Sequence, residues 1–115
     1  MVEFAADQGY RVTGTSDTSV TLEVTQHAQR QTSQKYFEVF RRIEFNSDRK
    51  RMSILLKDPW DGKLKLYIKG ADSYIKERLD LQQDQDATIK RADDFLARAS
   101  VKGFRTLLMA MRIVD

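Results

Sequence analysis

The sequence contains no cysteine, one proline and one histidine among its 115 residues. Without cysteine it has neither a disulfide nor a thiolate metal site, and a reducing compartment is permitted but not required. The histidine, His27, lies in a polar stretch with no second metal ligand at a suitable spacing, so we expect no metal site. No Ser/His/Asp or Cys/His set and no Walker-type glycine loop can be recognised either.

Long hydrophobic runs are also missing. No apolar segment approaches the roughly 18 residues of a membrane span. The opening MVEFAADQGY does not have the basic-then-apolar order of a signal peptide. We therefore expect a soluble chain that does not itself insert into a membrane.

An excess of one charge is lacking as well, since 20 basic and 17 acidic residues give a net charge of only +3. This balance does not favour nucleic acid as a partner, because such binding needs basic groups gathered on one face. Hydrophobic and charged contents of 41% and 32% are typical of a folded globular protein. We expect residues 1–115 to form a single, monomeric domain.

Alternating apolar and polar residues predict a strand-rich chain. A short helix at 2–8 is ended by Gly9, and two further helices precede the last strand. The predicted strands are YRVTGT (10–15), SVTLEVT (19–25), KYFEVFRRIEF (35–45), RMSILLKDP (51–59), KLKLYIKG (63–70) and TLLMAMRIV (106–114). This order predicts an α+β fold, with a mostly antiparallel sheet of about six strands flanked by helices.

Several details of this fold follow from the pattern. Pro59-Trp60-Asp61-Gly62 indicates a hairpin loop between the fourth and fifth strands, whereas the polar segment 26–33 indicates a loop or a fraying strand end. The first of the two later helices is ADSYIKERL (71–79), and the polar stretch QQDQD (82–86) separates it from the second.

Burial can also be predicted from the same pattern. In the second later helix, which Gly103 ends, an apolar stripe consists of Ile89, Ala92, Phe95, Leu96 and Ala99. Phe45 shares its strand face with Phe37, Val39 and Ile43, which predicts core packing. The last strand is apolar almost throughout, which is typical of a central strand that is buried on both faces.

Few residues suggest chemistry when taken singly. Asp93-Asp94 and Asp84/Asp86 are paired carboxylates that fit solvated faces or helix caps. Lys69-Gly70 at a strand end could hold a phosphate, because glycine permits close backbone approach, although Lys-Gly is also an ordinary strand end. Arg105, after Gly103, could pair with a carboxylate or hold a phosphate. An aromatic ring with cations at strand ends is the inventory of a nucleotide site.

Three segments occur in a definite order: EFNSDRKRMS at 44–53, KLYIKGADSYIKERL at 65–79 and KGFRTLLMA at 102–110. Together they resemble the nucleotide-binding domain of P-type ATPases. The forms RKRMS and KGAD, the latter followed by ERL, resemble the phospholipid-translocating (flippase) branch. The opening VEFAADQGYRVTG is also similar to the start of that domain, so the resemblance covers essentially the whole chain.

The resemblance implies a role for each matching residue. Phe45 matches the aromatic residue that stacks on adenine, and Lys69 matches a lysine deep in the pocket beside adenine and ribose. Arg105 matches the arginine that approaches the phosphates. The implied ATP-binding set is Phe45, Ser47, Lys50, Met52, Ser53, Lys69, Gly70, Arg105 and Thr106, with no catalytic residue among them. Arg49 and Arg51 need not touch nucleotide, and we expect solvent or a neighbouring domain as their contact.

Two features of the family are not found in this sequence. It contains no Asp-Lys-Thr-Gly segment, which carries the family's phosphorylated aspartate. An acidic residue that helps to hold the adenine amino group is expected upstream of Met1. The resemblance thus implies a cytosolic domain of a multi-pass membrane pump, which binds ATP without hydrolysing it. Other cytosolic domains of the parent would be its partners, and Mg²⁺ would accompany the nucleotide.

Two other functions fit the residues alone. Arg49-Lys50-Arg51 could form a basic patch that binds an anionic partner, such as nucleic acid or a lipid headgroup, without any enzymatic role. The chain could also be purely structural, and would then bind neither ligand. Comparing ATP with inorganic triphosphate separates these alternatives, since a bare anion patch is indifferent to the adenine base.

Overall fold

A computed structural model of the protein describes residues 1–80 and 86–115. The predicted polar stretch 82–86 therefore lies outside the described residues, apart from its last residue, at which the long helix begins. The elements in chain order are α1 (Val2–Asp7), β1 (Tyr10–Thr15), β2 (Ser19–Gln26), β3 (Gln31–Ile43), β4 (Arg51–Lys57), β5 (Leu64–Gly70), α2 (Asp72–Lys76), α3 (Asp86–Val101) and β6 (Leu108–Val114).

The six strands form one antiparallel sheet in the order β1-β2-β3-β4-β5-β6. This arrangement, with helices in addition, confirms the predicted α+β class. The polar segment 26–33 forms a turn followed by the start of β3, because Thr25 and Gln26 pair with Thr32 and Gln31. Backbone pairing across the turn therefore extends the sheet into a region whose side chains gave no strand signal.

The chain divides into two compact units. The first consists of residues Met1–Ile43, Ile54–Leu66 and Arg112–Asp115, and the second of Glu44–Ser53 and Tyr67–Met111. In the first unit, buried Phe37, Val39 and Leu56 form the hydrophobic core. The two β3 side chains lie two residues apart and so point to the same face of the sheet, as the alternation predicts.

The predicted hairpin between β4 and β5 is present in this first unit. Gly62 adopts the left-handed conformation, with φ +69°, and its N–H donates to the carbonyl of Asp58 at 2.8 Å. Lys65 lies between two carboxylates, with its Nζ 2.6 Å from Asp58 Oδ2 and 2.9 Å from Asp61 Oδ2. Trp60 at the tip meets the ring of Phe37 edge to face, with the centroids 5.6 Å apart. This contact anchors the hairpin tip to the hydrophobic core.

The second unit is built around α2 and α3. Ile75 on α2 is fully buried, and Leu96 and Ala99 on α3 are largely buried. Lys76 forms an ion pair with Asp93 at 2.5 Å. Phe95 departs from the predicted apolar stripe, since it is 61% exposed. Helical spacing alone does not determine where the edge of a buried face lies, and a ring at that edge can remain in water.

Within the described ranges, no helix is long and apolar enough to cross a membrane.

Two strand predictions are wrong. Strand β3 ends at Ile43, so Phe45 lies beyond the strand and its exposed ring is not part of a core face. Strand β6 is the last strand of the sheet order rather than a central one. Its Met109 and Met111 are 61% and 50% exposed, while Ala110 between them is half-buried. An apolar run indicates which side chains are present but not how many neighbours cover them.

Candidate functional site

All nine predicted ATP-binding residues belong to the second unit. The first of them, Phe45, begins a tight turn that Asn46 organises. The Asn46 Oδ1 accepts hydrogen bonds from the N–H of Asp48 at 3.1 Å and of Arg49 at 2.7 Å. Its carbonyl accepts the N–H of Lys50 at 2.8 Å. An asparagine that bonds to the backbone two and three residues ahead is a strong local determinant of a turn.

The turn closes at Lys50, which has a positive φ of 52°. The Lys50 carbonyl accepts the N–H of Ala71 at 3.1 Å. A Cβ on Gly70 would lie 2.5 Å from that carbonyl oxygen and 2.7 Å from the Cβ of Arg51. Only glycine allows so close an approach. The structure thereby brings together two of the motifs that lie about twenty residues apart in the sequence.

The Phe45 side chain is 60% exposed, although it is a large apolar ring. Met52 and Lys69 are half-buried, and Lys50 is exposed. Ser53 is only 5% exposed and accepts a hydrogen bond from Arg49 Nη2 at 3.4 Å. The Phe45 ring thus offers an accessible aromatic face, whereas the hydroxyl of Ser53, on β4, is used in a bond to Arg49 of the turn.

The remaining three predicted residues are less closely tied to this junction. Ser47 is exposed on the turn itself. Arg105 is exposed and Thr106 half-buried on the connection between α3 and β6. That connection begins at Gly103, which has φ +75°, followed by a hydrogen bond from Phe104 N–H to the Ala99 carbonyl at 3.0 Å.

The two arginines of the basic segment make contacts within the domain that we did not predict. Arg49 is half-buried and donates through Nη1 to the carbonyl of Glu44 at 3.1 Å, in addition to its bond with Ser53. Arg51 donates through Nη1 to the carbonyl of Arg49 at 2.6 Å. Partial burial, then the neighbouring charges of Arg78 and Arg49, lower the pKa of Arg51, although a guanidinium remains charged at neutral pH. Both side chains are therefore used within the domain rather than held out to solvent.

The roles of Asn46 and Arg49 were missed from the sequence. An asparagine followed by small and charged residues between two strands is a turn signal that could have identified Asn46. No local pattern could have identified Arg49, because its acceptors depend on how the turn folds back.

This arrangement suits a ligand that combines an aromatic base with negative charge. An exposed ring offers a stacking surface, and Lys50, Lys69 and Arg105 supply cations. In the described part of the chain, no group of three or more His, Asp or Glu residues is gathered closely enough to hold a metal ion.

Comparison with known proteins identifies the family of the chain. Residues 1–115 match the family described as "P-type ATPase, cytoplasmic domain N". The chain is 38% identical over its whole length to phospholipid-transporting ATPase DRS2 of Saccharomyces cerevisiae, of which it covers 8%. It is 41% identical to phospholipid-transporting ATPase tat-1 of Caenorhabditis elegans over 65% of this chain and 7% of that protein. With DNF2 of S. cerevisiae the identity is 36% over 97% of this chain and 7% of that protein.

The chain thus spans less than a tenth of the length of these curated relatives. The match over all residues confirms the resemblance predicted from the three ordered motifs. The chain belongs to the P-type ATPase family as its cytoplasmic domain N, and the relatives that it resembles are phospholipid-transporting members.

Proposed function

We propose that residues 1–115 act as one ATP-binding domain of a phospholipid-transporting P-type ATPase. The observation that carries this proposal is the junction in the second unit. There the exposed Phe45 ring begins a turn whose last residue, Lys50, packs its backbone against Gly70, directly after Lys69. An exposed aromatic ring and two lysines carried on the same backbone junction match a nucleotide better than a simple anion.

In this proposal adenine stacks on Phe45, with Met52 as part of the apolar wall. Lys69 lies beside adenine and ribose, where its ammonium can donate hydrogen bonds to ring nitrogens and interact with π faces. The triphosphate extends past Arg105. This chain binds and orients the nucleotide, while the phosphoryl acceptor belongs to another domain of the parent.

Transport would be coupled to binding through domain closure. Holding the γ-phosphate close to an acceptor aspartate on a second domain replaces a bimolecular encounter by an intramolecular one. Closure of one domain on another is a common way to assemble a phosphoryl-transfer site. The phospholipid substrate and the membrane segments that move it lie outside this chain, and we propose them on the strength of the relatives' names.

The internal contacts of Arg49 and Arg51 argue against the alternative of a bare anion patch. Both guanidinium groups donate to carbonyl oxygens within the segment, so fewer donors remain for a phosphate or a headgroup. Strong salt dependence would accompany such a patch, because each phosphate contact releases counterions. We expect a weaker salt dependence here, together with a clear preference for ATP over inorganic triphosphate.

The proposal is tested by titrating the protein with ATP, ADP and inorganic triphosphate, with affinity measured from NMR chemical shifts. We expect a dissociation constant of ~0.1–1 mM for ATP, since the phosphates contact few residues. Phe45→Ala should weaken ATP and ADP alike by roughly tenfold, because base stacking contributes about 1–3 kcal/mol.

Phe95→Ala is the matched control, since Phe95 is as exposed as Phe45 but lies on α3. Binding should be unchanged in this variant. The proposal is wrong if wild-type protein binds triphosphate as tightly as ATP, or if the two alanine variants lose affinity equally.

A further inference from the structure

The exposed Phe45 ring has little packing of its own to hold it in one orientation. Its direction must therefore come from the backbone on either side. After Phe45, the turn is fixed by Asn46, whose side chain and carbonyl together accept three backbone N–H groups. These bonds fix the residue that follows Phe45, but they do not hold the peptide that enters Phe45.

The entering peptide is held by Arg49. The carbonyl of Glu44 belongs to the same peptide group as the nitrogen of Phe45, and it accepts Arg49 Nη1–H at 3.1 Å. Because the peptide group is planar, holding it in place restricts the backbone torsion at Phe45, and this torsion sets the direction of the Phe45 side chain. The two backbone neighbours of Phe45 are thus tied to one turn.

The opposite side of the same guanidinium reaches the buried Ser53 hydroxyl at 3.4 Å. Ser53 lies within β4, so the bridge ties the entering peptide to a strand. A planar guanidinium can donate in two fixed directions at once, whereas a lysine ammonium is a point donor on a flexible stem. The bridge from Glu44 to Ser53 thus depends on the shape of arginine as well as its charge.

We propose that Arg49 is a positioning residue that holds the Phe45 ring ready to stack on adenine, through the Glu44 carbonyl and the Ser53 hydroxyl. This inference rests on the proposed nucleotide function. A ring fixed before binding loses less conformational freedom when the base arrives, so affinity for the base is higher. Fixing the ring does not strengthen the binding of phosphate groups, so the affinity for inorganic triphosphate should not depend on it.

The test compares Arg49→Met and Arg49→Lys with wild type, using ATP and inorganic triphosphate as ligands. Arg49→Met should weaken ATP about fivefold and leave triphosphate within about twofold, because the loss is confined to the base. Arg49→Lys keeps the positive charge but cannot donate to the Glu44 carbonyl and the Ser53 hydroxyl at once. It should therefore also bind ATP more weakly and bind triphosphate as wild type does. Amide- or aromatic-detected NMR should show exchange broadening at Phe45 in both variants.

Arg91→Met is the matched control, because Arg91 is an exposed arginine on α3. It should change neither affinity. Equal loss of ATP and triphosphate in Arg49→Met, with recovery of both in Arg49→Lys, would instead assign Arg49 a direct phosphate contact. If Phe45→Ala weakens ATP but Arg49→Met does not, the positioning role is wrong and the nucleotide site stands. A wild-type protein without preference for ATP would overturn the site itself.

Discussion

The tightest backbone approach in the candidate site involves a residue with no side chain. Gly70 lies against the carbonyl of Lys50 and the Cβ of Arg51, and these atoms belong to the turn that presents Phe45. A larger residue at this position would therefore disturb both the segment 44–53 and the segment 65–79. Because the obstacle is largely backbone, a rotamer change cannot relieve it.

Gly70→Ala should destabilise the domain by about 1–3 kcal/mol, the usual effect of forcing an extra methyl group into filled space. Urea unfolding followed by circular dichroism measures this loss. Gly14→Ala provides a control within another strand, since its new Cβ would meet Thr21 Oγ1 at an ordinary 3.7 Å. Equal stability of the two variants would contradict the close packing at Gly70.

At the scale of elements, the β4–β5 hairpin has its own electrostatic support. Asp61 accepts the N–H of Lys63 at 3.0 Å and pairs with the ammonium of Lys65. The Lys63 hydrogen bond, followed by the bond from Lys65, lowers the pKa of Asp61 below its ordinary value of 3.8. Hydrogen bonding to Asp58 and then Asp61 raises the pKa of Lys65, so this cation persists at every ordinary pH.

A carboxylate whose pKa is lower in the folded state stabilises that state at pH values above its ordinary pKa. This stabilisation is lost as the pH falls from about 4 through the lowered pKa. We therefore expect the melting temperature of Asp61→Asn to depend less on pH below pH 4 than that of wild type. Thermal unfolding at intervals from pH 6 to pH 2.5 measures the difference, with Asp7→Asn on α1 as a control for net charge. Parallel curves for all three proteins would rule out the proposed contribution.

The elements were mostly predictable from the sequence, because alternation and turn residues are local signals. The β4–β5 hairpin and the ends of α1 and α3 follow from Pro, Gly and periodicity. The exposure of Phe95 and of β6 could not be predicted, since burial depends on which other elements lie nearby. The resemblance predicted a candidate site that includes Phe45 and Lys69. The hydrogen bonds of Arg49 to Glu44 and Ser53 could not be predicted, because they depend on how the turn folds and no sequence pattern indicates them.

At the scale of the whole molecule, binding and hydrolysis are expected to be separate. The sequence contains no Asp-Lys-Thr-Gly segment, so it provides no phosphoryl acceptor of the family type. Incubation with ATP and Mg²⁺ should leave the nucleotide intact, as measured by chromatography of ATP and ADP. Release of ADP above a buffer control, in a preparation shown to be free of other ATPases, would contradict a binding role without catalysis.

The alternation along β6 has a chemical consequence. Met109 and Met111 carry their thioethers at the surface, whereas Met52 beside the Phe45 turn is half-buried. Oxidation of methionine to the sulfoxide follows solvent access and turns an apolar side chain into a polar one. We therefore expect mild peroxide to oxidise Met109 and Met111 faster than the half-buried Met52, without any unfolding, and so to make this edge strand more polar.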